Sequence, residues 1–253
     1  MKRLLSKLGM VCALLPVLTL AGPPLWAGEV RVAVAANFTA AAREIGALFT
    51  RATGHRAIFS FGSTGQLYAQ ISQGAPFEVL LAADQARPAR AVAEGHALAA
   101  SRFTYATGRL VLFSRDPDRV TGEATLRGGQ FSQLALANPA TAPYGAAALA
   151  TLQALGLYDA LAPRIVQGNN IAQTYQFVQT GNAELGFVAL AQLAGHRGGS
   201  RWLVPAHLHP PIAQDAVLLV AGAANPAARA FLEFLKGPQA AAVKARYGYG
   251  DGD

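Results

Sequence analysis

The chain has 253 residues, with 21 Lys and Arg against 14 Asp and Glu, and its basic residues are scattered singly rather than clustered among aromatics, which argues against nucleic-acid binding. Its single cysteine, Cys12, lies in an apolar run that carries no lipobox, so neither a disulfide nor a lipid anchor is expected. With 52% hydrophobic residues, 26 Gly and 14 Pro, the composition is that of an apolar, turn-punctuated globule large enough for one large domain or two small ones.

Residues 1–27 read as a secretory signal peptide. Lys2, Arg3 and Lys7 form a basic start, Leu8 to Ala21 an apolar core, and Leu25-Trp26-Ala27 a small-residue cleavage site. Gly22-Pro23-Pro24 stops the apolar run short of the ~20 residues that a membrane span needs. Cleavage near Ala27 removes three of the 21 basic residues and none of the 14 acidic ones, so the formal charge falls from +7 to +4. A field of that sign assists encounter with anions.

Val30 to Val34 is a short buried strand leading to Asn37, which is placed to cap a helix over Phe38 to Arg51. Thr53-Gly54 ends that helix, and Ala57 to Phe61 is the second strand. It stops at Gly62-Ser63-Thr64-Gly65, and an amphipathic helix over Gln66 to Gln73 follows at once. Phe77 to Ala82 is the third strand, and Asp84 opens the helix Gln85 to Glu94 as a cap. Tyr105 to Ser114 is a fourth strand carrying a hinge at Thr107-Gly108.

After a loop over Asp116 to Gln130, Leu134 to Ala137 forms a strand and Pro143 leads into the helix Gly145 to Leu155, with Tyr144 just before its first turn. Ile165 to Gln167 is the next strand, and Gly168-Asn169-Asn170-Ile171 opens a helix to Thr180. Leu185 to Leu190 is a buried strand and Leu203 to Pro211 is irregular. His207 and His209 lie there without a third ligand of suitable spacing, so no metal site is expected. Asp215 to Ala221 is a last crossing strand, followed by helices Pro226 to Lys236 and Pro238 to Arg246 and a loose tail from Gly248 to Asp253.

Strands alternating with helices predict an α/β fold with parallel-rich sheets. Two sets of three strands, separated by the crossing strands near Gly108 and Asp215, predict two domains: 28–107 with 216–253, and 108–215. Ligands in such folds bind beyond the carboxyl ends of the strands, here in a hinged cleft between the domains.

Four polar loops lead into helices at such ends: Val32 to Ala42, Phe59 to Gln70, Leu134 to Leu152 and Ile165 to Val178. A helix start has unpaired N–H groups and a partial positive charge, which suit an anion. None of the four turns contains Lys, Arg, His, Asp or Glu, so an anion there must be held by neutral dipoles. A phosphate that keeps a proton needs an acceptor, whereas sulfate, molybdate or tungstate needs only donors. Enzymatic readings fit poorly, because Gly62-Ser63-Thr64-Gly65 lacks the Lys of a nucleotide phosphate loop and no G-x-S-x-G elbow occurs.

The segments AANFTAAA, FGSTGQLYAQISQGAP, LAADQ, NPATAPYGAAA and ELGFVALAQ, in this order, closely resemble the periplasmic molybdate-binding component of ABC transporters over essentially the whole mature chain. The resemblance implies a type II periplasmic-binding fold that closes on molybdate or tungstate and delivers it to a membrane permease. It also implies a periplasmic monomer with no catalytic residues, no cofactor and no protein-held metal. Carried over by position, it places the ligand contacts at Asn37 with Ala36, at Thr64 beside Ser63, at Tyr144, and at the backbone N–H of Ile171. Other members have Ser or Thr at Ala36, often Ser at Thr64, and Tyr at the position of Ala189, whose role falls here to Tyr144. A sulfate receptor is the alternative binder, and an exported hydrolase the alternative of a different class.

Overall fold

The computed structural model describes residues 27–250. The signal-peptide reading therefore lies outside the described residues, Ala27 excepted. β1 (Glu29–Ala35), buried without interruption from Val32 onward, pairs in parallel with β2 (Arg56–Gly62) along its whole length. α1 (Thr39–Thr53) returns the chain between them, and α2 (Thr64–Ser72) does so between β2 and β3 (Val79–Leu81), which pairs on the other side of β1. α1 buries Ala41, Ala42, Ile45 and Phe49, the spacing of one helical face.

α3 (Ala86–Ala93) leads to β4 (Phe103–Gly108), and a single residue, Arg109, separates β4 from β5 (Leu110–Ser114). β5 belongs to a second sheet. There α4 (Glu123–Gly128), β6 (Leu134–Ala137), α5 (Pro143–Ala154), α6 (Tyr158–Leu161), β7 (Ile165–Gly168), α7 (Ile171–Thr180), β8 (Leu185–Ala189) and β9 (Ser200–Leu203) follow in turn. β10 (Ile212–Leu218) then returns to the first sheet, which α8 (Pro226–Lys236) and α9 (Pro238–Arg246) complete.

The strand orders are β2-β1-β3-β10-β4 and β7-β6-β8-β5-β9. In each sheet the first three strands run parallel and the last two join antiparallel. Each sheet thus has five strands rather than the expected three, because the crossing segments pair into the sheets instead of standing apart and β9, not expected from the sequence, adds an edge to the second. The run Tyr105 to Ser114, expected as one strand, is two. β4 pairs with β10, whereas β5 pairs with β8 and β9, and a chain that changes sheets cannot remain one ladder.

Each sheet has its own core. Val30, Val32, Phe38, Ile45, Phe49 and Phe231 pack in the first, and Leu110, Leu112, Leu134, Leu136 and Phe187 in the second. Ala35, Ala36 and Ala83, from the ends of β1 and β3, are buried in the second core, so the two halves share apolar contact. The expected loose tail is not loose at its start. Tyr249 is buried and Gly250 forms an antiparallel bridge to Thr107.

Candidate anion site at the cleft

The four polar loops leave the ends of β1, β2, β6 and β7. The register pairs Ala35 with Gly62 and Ala137 with Gly168, which sets the loops side by side within each sheet. Where the chain leaves β1, residues Ala36–Phe38 form one 3-10 turn before α1. Asn37 is therefore not the cap of α1: Phe38 holds that position, without a side-chain bond. The buried Asn37 amide instead donates to Gln214 Oε1 at 2.9 Å and to the Tyr249 hydroxyl at 3.3 Å. The donors this loop has left are the first N–H groups of the turn, which have no partner within it. Ala36 and Asn37 are both buried at that point.

In the second loop Ser63 is the N-cap of α2 in extended conformation, yet its side chain makes no cap bond. Its hydroxyl is buried and has no partner among the described residues. Thr64 is fully buried, and its hydroxyl accepts the Ala83 N–H at 2.9 Å, which leaves its one hydrogen to be donated elsewhere. The N–H of Gly65 donates to the Thr141 carbonyl at 2.9 Å, which ties the second loop to the third across the cleft.

Asn138 shapes the third loop by accepting the N–H of Ala140 on its side chain and that of Ala142 on its carbonyl. Pro143 starts α5, so Tyr144 lies inside the first helical turn rather than before it. Its side chain runs toward the sheet crossing, where a Cβ on Gly108 would stand only 2.1 Å from the phenol oxygen. Burial is the largest influence on the Tyr144 phenol and pushes it well above the usual tyrosine range. In the fourth loop Asn170 caps α7 by accepting the N–H groups of Ala172 and Gln173 at 3.0 and 3.1 Å. The Ile171 N–H stays outside that cap, and Ile171 is buried.

Five buried side-chain polar atoms lack a partner at hydrogen-bonding geometry among the described residues, and four of them stand in or against these loops: Ser63 Oγ, Thr141 Oγ1, Tyr144 OH and Gln214 Nε2. Each such group costs about 1–3 kcal/mol if it stays unpaired. All four can donate, and none carries charge. Two charged clusters nearby are already paired. Arg87 Nη1 pairs with Asp84 Oδ2 at 2.7 Å while Nη2 donates to the Ala140 carbonyl at 2.8 Å, and the buried Asp215 is held by Arg102 and Thr104. Asp84 also accepts the Arg87 N–H at 2.9 Å, so it serves the start of α3.

Sequence reasoning singled out Ala36, Asn37, Ser63, Thr64, Tyr144 and Ile171, all of which the structure buries in the four loops. It missed Thr141, Gln214, Tyr249 and Arg87. A visible signal existed for Gln214, since Gln214-Asp215 interrupts an otherwise apolar strand.

Two mixed sheets joined by crossing segments, with buried unpartnered donors on and against the loops at their strand ends, have the architecture of a two-lobed solute-binding protein. Residues 30–250 match the family described as bacterial extracellular solute-binding protein, and the chain belongs to that family. It is 54% identical over 226 residues to the molybdate-binding protein ModA of Rhodobacter capsulatus, covering 89% of this chain and 90% of that protein. The fold matches the periplasmic molybdate-binding protein of Azotobacter vinelandii with a TM-score of 0.85 and 40% identity, covering 88% of this chain and 99% of the other. The sulfate-binding protein SubI from Mycobacterium tuberculosis H37Rv matches with a TM-score of 0.72 at 14% identity, over 89% of this chain and 88% of that one, a likeness of fold alone.

Proposed function

We propose that the protein is the periplasmic receptor of an ABC importer, and that it captures molybdate, with tungstate as a second ligand, for delivery to a membrane permease. The observation that carries this reading is the set of buried, uncharged, unpartnered donors in or against loops whose turns contain no Lys, Arg, His, Asp or Glu. Bonds from neutral donors to a charged acceptor contribute about 1.5–3 kcal/mol each, so several suffice to hold a dianion. The 54% identical relative named for molybdate supports the choice of ligand.

In this reading the anion is held by the backbone N–H groups of the turn Ala36–Phe38, in which Asn37 lies, by the hydroxyls of Ser63 and Thr64, by Tyr144, and by the Ile171 N–H. The two domains are the two sheets with their helices, and their junctions fall at Arg109 and just before β10, so the expected bounds of 28–107 with 216–253 and 108–215 shift by a residue at the first junction and by four at the second, where β10 starts at Ile212. The protein acts as a monomer, has no catalytic residue and needs no cofactor. A sulfate receptor is the second reading, because sulfate also needs only donors.

Thermal unfolding with molybdate, tungstate, sulfate and phosphate in parallel tests this. A ligand at about a thousand times its dissociation constant adds roughly 4 kcal/mol to stability. Molybdate and tungstate are expected to raise the melting temperature, and sulfate and phosphate to leave it in place. A shift with sulfate alone would overturn the molybdate assignment, and no shift with any of the four would overturn the receptor reading.

A further inference from the structure

We propose that the C-terminal residues Tyr249 and Gly250 belong to the binding device: Tyr249 is a positioning residue that holds the Asn37 turn, and Gly250 ties it to the hinge strand. The proposal rests on the reading above, in which that turn faces the anion.

The chain reverses after α9 through Gly248, whose φ of +78° is a left-handed conformation suited to glycine. A Cβ there would meet Leu190 Cδ2 at 2.9 Å, so the reversal is seated on the segment that follows β8 in the second half. Tyr249 then turns inward with only 7% exposure, its ring edge-on to Phe38 at a centroid distance of 5.1 Å. Packing of that kind needs only the ring. The hydroxyl does more, because it donates to the Asn37 carbonyl at 2.8 Å and accepts from the Asn37 amide at 3.3 Å. One phenol thus fixes both the backbone and the side chain of a single turn residue.

The other hydrogen of the same amide goes to Gln214 Oε1 at 2.9 Å, and the Tyr105 hydroxyl donates to that oxygen at 3.2 Å. With both amide hydrogens engaged, the donors that the turn can offer an anion are its backbone N–H groups. Their direction is set by the peptide planes. In a trans peptide the N–H of Phe38 points opposite to the carbonyl of Asn37, so holding that carbonyl fixes that N–H. A preorganised donor loses less on binding than one that must first be ordered.

Gly250 then pairs with Thr107 in both directions, its N–H donating to the Thr107 carbonyl at 2.9 Å and its carbonyl accepting the Thr107 N–H at 3.0 Å. Thr107 adjoins Gly108, and the chain leaves the first sheet at the next residue. The strap therefore joins the first binding loop to the strand end where the two halves meet.

Calorimetric titration with molybdate, on the full mature chain, tests the proposal with Tyr249→Phe, Asn37→Ala and the double variant. Tyr249→Phe keeps the ring against Phe38 and removes the hydroxyl, so the melting temperature without ligand should stay within a few degrees of wild type. Affinity should fall about fivefold to tenfold. Because both residues act on one turn, the loss in the double variant should be smaller than the product of the single losses. Gly250→Pro removes the N–H given to Thr107 and leaves the phenol in place, and it should weaken binding at least threefold. Binding within twofold of wild type for Tyr249→Phe, while Asn37→Ala is clearly weakened, overturns the positioning role and leaves the site reading intact. Wild-type affinity for Gly250→Pro overturns the tie to the hinge strand. Wild-type affinity for Asn37→Ala shows that holding this turn in place does not matter to the anion, and overturns the positioning role.

Discussion

Ser63 and Thr64 are adjacent buried hydroxyls with different local partners, and that difference separates stability from binding. Ser63 Oγ has no partner, so Ser63→Ala removes a group that costs the unliganded fold something to bury. Its melting temperature without ligand should stay the same or rise slightly, while molybdate affinity falls ten- to a hundredfold, about 1.5–3 kcal/mol. Thr64 also accepts the Ala83 N–H, so Thr64→Val leaves that buried donor unpaired and should lose both affinity and about 1–3 kcal/mol of stability. Denaturant titration and calorimetry of the two variants check this, and identical behaviour of both would contradict the assignment. The positions of these hydroxyls were legible as a Ser-Thr turn between an alternating run and an amphipathic one. The role of Asn37 was not, because local propensity favours Asn as a cap, whereas its partner Gln214 is 177 residues away. Tyr249 was misread for the same reason: its glycine-rich surroundings suggest a loose end, and its partner lies 212 residues earlier.

At the scale of elements, alternation made nearly every strand and helix legible, but pairing was not. Tyr105 to Ser114 is uniformly strand-like, and nothing local marks Arg109 as the place where partners change from β10 to β8 and β9. β9 escaped notice because it is short and at the sheet edge, with half-buried and exposed residues alternating along it. The approach of α2 to the third loop was equally silent, and it carries a prediction. A Cβ on Gly65 would lie 3.0 Å from Thr141 Cα and 3.1 Å from its carbonyl oxygen, so Gly65→Ala should push these loops apart. Binding should weaken at least tenfold with little change in unliganded stability, since the crowding lies across the cleft rather than inside either core. Wild-type affinity in titration would show that the loops need not meet. Tyr105 on β4, Tyr144 on α5 and Tyr249 beyond α9 add a pH signature, for burial raises all three phenols above the ordinary value near 10. The folded state then holds these protons more tightly than the unfolded chain does. Their contribution is fully present below about pH 10 and is lost as pH rises toward the raised values. Melting temperature should be flat from about pH 7 to 9 and fall above 10, less steeply in Tyr249→Phe; a flat curve to pH 11 would refute the coupling.

For the whole molecule the question is what keeps the halves together. Ala35, Ala36, Ala83 and Ile212 pack in the second core, Ala191 packs in the first, Gly248 rests on Leu190, one backbone bond joins Gly65 to Thr141, and Arg87 reaches the Ala140 carbonyl. These links are individually small. The Arg87 side chain is about a quarter exposed and already paired with Asp84, so its bridge is worth on the order of 1 kcal/mol or less after solvent screening. Small apolar side chains add little more, whereas an anion that bonds to donors on both halves supplies several charge-assisted bonds at once. Ligand should therefore dominate the balance between open and closed forms, shifting the population by its differential affinity for the two. Small-angle scattering should show a smaller radius of gyration with molybdate than without. Arg87→Met should still close under saturating molybdate while binding up to about fivefold more weakly. Tyr144→Ala, which removes a buried donor beside the crossing, should bind more weakly still and close less at equal ligand concentration. A protein equally compact with and without molybdate would mean that the links between the halves already suffice, and the hinge at Thr107-Gly108 and β10 would have no part in capture.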